Sequence, residues 1–402
     1  MQQSAESRQW EKIGGDGIRN SWNNPNLWIN RSLGSDSKNL YATVGGEIDN
    51  TSLGYIWKYT EQNWVELPIN DALNDGSYDK MRDNRSIIFK TNSDVFSAFS
   101  DHGKKSIILV SLNTFKIIEV HLADILKIKL TGGLSIKFAT YHAGCIYLGG
   151  SVEVDNDDTI QKIFPYIIKY ENSRFESLLS NHFPGADGFS KSVELPYSGL
   201  VSEGGLFVGS CHINTKFKGA SVWMFTPSSG WRLLGGHGHL GSWGDRDSIG
   251  ILSISIYRKS LIVTHFREQG TDPQFSSVWR FNGRVWEPIM VPGDSKNLAS
   301  AIHFNSSLVF EDNFLVGIGS ATGKNIGNNN TAVWSYCPDT ILWKRIFNYE
   351  AVLSAKTSEK LNKTSRGKYI YDMTEYAGSL VVGLTSWSME GQPAIWQLAS
   401  ET

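Results

Sequence analysis

Cysteine is scarce in this chain. The 402 residues contain three, at Cys145, Cys211 and Cys337, with no C-x-x-C pair. An odd, widely spaced set argues against a disulfide framework and against a cysteine zinc site. Each thiol lies in or beside an apolar, strand-like run, where it reads as a small core hydrophobe. Charge of one sign is also lacking: 38 Lys and Arg against 40 Asp and Glu leave a net charge of −2. That balance supplies no overall attraction to nucleic acid or an anionic membrane, so a nucleic-acid partner is not expected. No apolar run approaches the roughly 20 residues needed to cross a bilayer, so membrane insertion is not expected either. The N-terminus, Met-Gln-Gln-Ser-Ala-Glu-Ser-Arg, has no signal-peptide apolar region, which leaves a soluble chain of open localisation, secreted if a signal was removed. Phosphate-binding glycine motifs, a G-x-S-x-G elbow and basic-aromatic nucleic-acid patches are missing too.

Aromatics and glycine are abundant: 14 Trp, 15 Tyr and 39 Gly against only 11 Pro. This composition favours many short aromatic strands joined by tight turns. Two stretches match over thirteen residues. Trp10 to Trp22 and Trp231 to Trp243 both read W-x3-G-G-x-G-x3-S-W, 221 positions apart. Such self-similarity signals internal repetition.

A second pattern gives the period. An aromatic strand end followed by another aromatic recurs at Trp57 with Trp64, Ile168 with Phe175, Trp223 with Trp231, Trp279 with Trp286, and Trp334 with Trp343. Trp396 closes the series without a partner, and Trp10 is an unclaimed one at the other end. The spacing of roughly 55 residues, with a weaker unit near Ile108 to Phe115, predicts seven units. Each unit carries a β-like run ending in a small residue, as in Leu40 to Gly46, Cys145 to Gly150 and Leu380 to Leu384, with another apolar run before it. Four short antiparallel strands per unit predict an all-β, seven-bladed β-propeller. Residues 9–13 would complete the last blade, closing the ring in a single domain over 1–402.

The Gly-Gly pairs Gly45-Gly46 and Gly149-Gly150, followed by an aromatic and a Trp one strand later, resemble the kelch repeat. That resemblance implies propeller architecture and no particular activity.

In such blades, the loops from the second to the third strand and from one blade to the next share a face around the channel mouth. The connections Gly45 to Gly54, Gly150 to Pro165, Ser210 to Ala220, Thr264 to Ser277, Ser320 to Thr331 and Thr385 to Pro393 are expected there as long polar loops. His212, His237, His239 and His265 then fall in one sector, with Asp245, Arg246, Arg267, Glu268 and Lys216 nearby. His142 is expected at a hairpin on the opposite side.

Three readings of that sector follow. In the first, the protein cleaves an acidic polysaccharide by β-elimination. One of His212, His237, His239 or His265 serves as base, and Arg246 or Arg267 or a metal neutralises the uronate carboxylate. Hydrolysis by a carboxylate pair drawn from Asp16, Asp245, Asp247 and Glu268 is its variant. In the second, His237 and His239, with His212 or His265, hold a divalent metal such as zinc, manganese or nickel; the first reading requires no cofactor. In the third, the propeller binds a glycan or a protein without chemistry. Trp22, Trp28, Trp243 and Trp387 would then be exposed stacking platforms, with Asp245, Lys216 and Glu268 bonding the ligand. The expected state is a monomer with a glycan partner. The motif glycines read mainly as turn formers, and the repeated aromatics as core between blades.

Overall fold

The computed structural model describes residues 10–48, 51–60, 62–69, 86–101, 103–154, 162–179, 194–212, 219–244, 250–266, 278–289, 302–320, 331–337, 339, 342–349, 352, 368–386 and 393–399. Nearly all of the regular structure is antiparallel strand in meanders of four. The meander of residues 27–66, for example, pairs Leu27–Ser35 with Leu40–Ile48, that with Thr51–Thr60, and that with Asn63–Glu66. The same order repeats over 87–121, 134–177, 194–235, 250–288 and 302–348. In the last meander, Lys368–Tyr376, Ser379–Ser386 and Ala394–Leu398 lack a fourth strand of their own. Trp10–Gly14 supplies it, pairing Trp10 with Leu398 and Glu11 with Gln397.

The first strand of each meander packs against the first strand of the next, and Leu27–Ser35 packs against Lys368–Tyr376 to complete the circuit. Four-stranded meanders arranged round a closed circuit of inner strands make a β-propeller. Closure by the N-terminal strand also covers an edge that would otherwise lie open between the chain ends.

Turn chemistry explains the plainer face. First and second strands join through two-residue hairpins in which both residues have positive φ: Ala143 and Gly144 (49° and 85°), Arg258 and Lys259 (46° and 64°), and Glu311 and Asp312 (47° and 55°). Such a turn matches the strand twist and fixes the register, so these hairpins stay short. His142 stands at one of them, opposite Cys145. On the other face the expected loops shrink. Gly45 to Gly54 is no long loop, because the strands run on to Ile48 and restart at Thr51, pairing Gly46 with Leu53 and Glu47 with Ser52. Gly150 to Pro165 likewise becomes strand up to Val154 and from Lys162, as buried Val152 pairs with Phe164. Continuing the ladder satisfies backbone groups that a loop would leave to water.

The cores lie between blades. Trp22, Trp64, Val381 and Ile395 share a cluster across the closure, and Leu234, Trp243, Val263 and Trp286 share the corresponding one between the 194–235 and 250–288 blades. Four indoles each tie their own blade to the one before it. Trp64 donates to the Ile13 carbonyl at 2.7 Å, Trp231 to Leu178 at 2.8 Å, Trp286 to Leu234 at 2.8 Å, and Trp10 to Ile346 at 3.0 Å. Each places a large apolar ring in the seam while its single polar atom stays bonded.

Candidate functional site

The twin stretches make the same structure twice. After the outer strand, Gly15 and Gly236 turn with φ of 94° and 106°, Asp16 and His237 follow at 55° and 57°, and Gly17 and Gly238 at 74° and 73°. A Cβ on Gly15 would lie 2.4 Å from the Pro393 carbonyl oxygen, and one on Gly236 would lie 2.8 Å from Ser221 Cβ, so both left-handed φ and close packing demand glycine. The motif serines cap the turn, with Ser21 Oγ accepting from Gly15 N and Ser242 Oγ from Gly236 N, each at 2.8 Å. The closing tryptophans donate to Pro393 and Ala220 carbonyls in the neighbouring blade.

That geometry corrects the expectation that Trp22 and Trp243 are exposed sugar platforms. They are 2% and 1% exposed, packed edge-to-face on Trp64 at 5.5 Å and on Trp286 at 5.1 Å. The glycine turn drives each indole down into the seam between blades, where burial outweighs exposure.

The histidine sector is divided. His237 and His239 are exposed on the loop between the 194–235 and 250–288 blades. His265 is fully buried in the second strand of the 250–288 blade, paired with Ile251 and edge-on to the Trp243 ring at 4.3 Å. It belongs to the scaffold under the loop rather than to its surface. His212 ends the second strand of its own blade, opposite Glu194 in register, and its neighbour Cys211 pairs with Gly250 of the next blade. One further histidine, missed by loop counting, joins this region: His303, at the start of an inner strand, pairs with Phe266. Its place depends on register between blades, which no local pattern reveals. Arg246, Arg267, Asp245, Lys216, Glu268 and Trp387 lie outside the described residues, as does Asp247; the side chains of His212 and Trp28 do too. Among the described residues, no group of three His, Cys, Asp or Glu is placed to hold a metal ion.

A feature absent from the sequence reading recurs in the inner strands. The pairing of first and second strands skips one residue at the same level in six blades: Arg31, Lys137, Tyr197, Leu252, Asn305 and Tyr371. The 27–66 blade has a second such skip at Trp28. Each is a β-bulge in the first half of its strand, on the side of the loops between blades. Bulges of this kind re-aim a side chain and often border active sites.

Most of the described residues flanking the skips are buried. Ile136, Phe138 and Ser198 are 0%, 5% and 7% exposed, and Ile251 and Ile370 are fully buried, while Lys137, Tyr197, Leu252 and Tyr371 between them are partly exposed. Because these strands are the innermost of each blade, the solvent they meet is the channel. Lys137 Nζ sits 5.8 Å from the Tyr197 ring centroid, bringing the skipped residues of adjacent blades together. Tyr371 leans on Tyr369 with ring centroids 6.0 Å apart.

The bulge also accounts for several of the repeated glycines. Gly149, Gly209, Gly317 and Gly383 each stand opposite the residue after the skip. A Cβ there would meet Phe138 at 2.1 Å, Ser198 Oγ at 2.5 Å or Ser306 Oγ at 2.7 Å for the first three. The residue after the skip often fastens its blade to the next: Ser198 Oγ donates to Ile251 O at 2.8 Å, and Ser32 Oγ accepts from Ile88 N at 3.0 Å. Asp372 fills this place at the closure. It accepts from Leu33 N and Met373 N, each at 2.8 Å, and from Ser32 Oγ, and burial pushes its carboxyl up to about 6.

No protein-family model matches the chain, and no curated protein matches it in sequence. The fold is similar to that of a puromycin-hydrolysing peptidase of Mycobacterium tuberculosis, with a TM-score of 0.53 at 11% identity. The match covers 94% of this chain and 52% of that one, so the chain spans about half the length of the peptidase. The chain is a β-propeller. It is also similar, at a TM-score of 0.49 and 9% identity over 93% of both chains, to the β-propeller domain of the Trilobed protease from Pyrococcus furiosus. An α-L-arabinanase of Penicillium chrysogenum matches at a TM-score of 0.42 and 12% identity, over 80% of this propeller and 94% of the enzyme. At such identities the likeness carries the fold alone.

Proposed function

We propose that the chain is a single seven-bladed propeller that binds a carbohydrate at the channel mouth and cleaves an acidic polysaccharide or oligosaccharide there. The observation that supports this reading is the inner-strand bulge repeated at a common register level in six blades, where Lys137, Tyr197, Leu252 and Tyr371 are partly exposed. The loops between blades border that same end, so an extended ligand meets the bulge residues from above and the loop residues from the side. Tyr197 and Tyr371 take over the stacking role expected of Trp22 and Trp243.

In this reading, β-elimination needs a base from His212, His237 or His239 and a cation from Arg246 or Arg267. His265 drops out as base, because its full burial behind Trp243 keeps it from a substrate. The hydrolytic variant draws its acid and base from Asp245, Asp247 and Glu268. A divalent metal at His237 and His239 would serve as the Lewis acid in place of arginine.

Incubation with a panel of uronate-containing polysaccharides tests the proposal. β-Elimination yields the ultraviolet absorbance of an unsaturated uronate, and hydrolysis yields new reducing ends without it. His212→Ala, His237→Ala or His239→Ala is expected to abolish the first while leaving the fold intact. Binding without any product, undisturbed by these substitutions, would refute cleavage and leave a lectin-like or protein-binding propeller.

A further inference from the structure

We infer that the loop face carries an anchoring surface for an acidic polysaccharide chain, formed by Lys105, Lys127 and Lys129 where the 87–121 blade passes to the 134–177 blade. The inference deepens the proposal above and rests on it for the saccharide, though not for the charge.

Two separate stretches build the surface. The turn between Asp101 and Ser106 joins the second strand of the 87–121 blade to the third. The helix Leu122–Leu126 opens the connection from the fourth strand, which ends at His121, to Leu134 of the next blade. Both lie on the same face as the loop of His237 and His239, which is likewise a connection between blades. In the second stretch burial alternates with exposure. Leu130 is 6% exposed and shares the core between the two blades with half-buried Ile128, which leaves Lys127 and Lys129 out in solvent. Lys105 joins them from the first stretch, its ammonium donating to the Leu130 carbonyl at 2.7 Å, one residue along from Lys129. A bond to a neutral carbonyl leaves that cation its full charge.

The charge is not cancelled in place. Among the described residues, no carboxylate forms an ion pair with any of these lysines. The nearby acids are engaged otherwise: Asp101 Oδ1 accepts from Lys104 N at 3.0 Å, Glu119 Oε1 from Ser106 Oγ at 3.0 Å, and Glu153 Oε2 from Gly133 N at 2.8 Å. Asp124, exposed in the first turn of the helix, still leaves the group with an excess of positive charge. Nor does local folding call for lysine here. Lys105 and Lys127 have φ of 54° and 56°, left-handed positions that glycine or asparagine adopts with less strain. Lysine is the less favourable choice at both, and what distinguishes it there is its charge.

A chain with a net charge of −2 has no overall pull on an anion, so recruitment falls to a local concentration of cations. Neither 101–106 nor 122–133 contains Trp, Tyr or Phe. The stacking on bases that single-stranded nucleic acid draws on is therefore missing from both stretches. Carboxylates repeated along a uronate polymer are met by charge alone.

Fluorescence anisotropy with end-labelled decagalacturonate, and with its methyl ester, tests the inference. The acid should bind the wild-type protein more tightly than the ester, and its affinity should fall as salt is raised. Lys127→Gln combined with Lys129→Gln should weaken acid binding about fivefold, the worth of two solvent-exposed charge contacts, and flatten the salt dependence. Ester binding and the melting temperature should not change, because both side chains are exposed. Lys127→Arg combined with Lys129→Arg should keep the wild-type affinity. Equal binding of acid and ester by the wild type, acid binding indifferent to the glutamine pair, or no binding of the acid would overturn the surface. So would single-stranded DNA of the same length that bound more tightly than the decagalacturonate, which would assign these lysines to nucleic acid. Product analysis separates failure here from failure of the cleavage reading. Acid held through the lysines with no product upholds the surface and refutes cleavage. Product formed from acid that binds the glutamine pair as tightly as the wild type does the reverse.

Discussion

The duplicated motif offers a controlled perturbation, because one substitution can be made at the same structural place twice. Gly14 and Gly235 both end an outer strand beneath an indole of the next blade. A Cβ on Gly235 would lie 2.7 Å from Trp286 Nε1 and within 2.9 Å of two ring carbons, whereas one on Gly14 would lie 3.1 Å from Trp64 Nε1 and 3.3 Å from the nearest carbons. In Gly235→Ala the Trp286 ring must retreat, straining a packed seam at about 1–3 kcal/mol. The retreat also loosens the 2.8 Å bond to Leu234 O, worth about 1 kcal/mol. Against this, alanine restricts the unfolded chain and returns about 0.4–1 kcal/mol. The net expectation is a loss of about 1–3.5 kcal/mol for Gly235→Ala. At Gly14 a shift of a few tenths of an ångström suffices, and the two effects nearly cancel, leaving less than about 1 kcal/mol. Urea denaturation followed by far-ultraviolet circular dichroism measures both, with the midpoint compared at constant m-value. An equal or larger loss in Gly14→Ala would refute the argument that the indole's closeness sets the cost.

Three further outcomes follow. Trp10→Ala should destabilise by about 3–5 kcal/mol, since the side chain is 5% exposed, packs edge-on to Phe347 at 4.7 Å and bonds Ile346 O; thermal melting that left the protein as stable as wild type would show that ring closure does not depend on this strand. Asp372 has its carboxyl raised from 3.8 to about 6, so the folded state holds a proton that the unfolded state releases. Its contribution is therefore full below about pH 4 and lost as pH rises to about 6, a fall of about 3 kcal/mol that Asp372→Asn should lack when the two stability–pH curves are subtracted. Trp243→Phe should cost about 2 kcal/mol, by leaving the Ala220 carbonyl without its indole donor and the seam underfilled; a change in protease sensitivity confined to the loop carrying His237, with stability intact, would point instead to a purely local role.

Much of the architecture was legible because it rests on local chemistry. The recurring aromatic after each third strand marks a ring that packs between blades, and the five such residues Trp64, Phe175, Trp231, Trp286 and Trp343 fall on described fourth strands as expected. The lone Trp10 and the partnerless Trp396 anticipated the strand closure, since an edge left open at both chain ends calls for one partner. The weak unit near Ile108 became the third strand Ser106–Ser111, fully internal in its sheet. The site was less legible. Trp22 and Trp243 look like exposed loop residues in sequence, and only the left-handed turn before them sends them inward. Histidine counting gathered His265 with His237, although strand alternation points His265 into the core. The bulge residues are not legible in sequence, because an inserted residue leaves no composition signal; Ile-Lys-Phe, Pro-Tyr-Ser and Ile-Tyr-Asp share no pattern apart from the register of the second strand.

The sequence by itself therefore determined the repeat, the antiparallel strands, the inter-blade aromatics and the N-terminal closure, all of which follow from hydrophobic periodicity and turn-forming residues within short stretches. It also determined that Trp10 to Trp22 and Trp231 to Trp243 are one structure used twice. Tertiary structure alone decided which of these residues meet solvent. Exposure in a propeller depends on how an inner strand registers with its neighbour and how a blade packs on the next, and those pairings are separated in sequence by the length of a whole strand or a whole blade. That is why Lys137 and Tyr197, sixty positions apart in the chain, meet only through two bulges on adjacent inner strands.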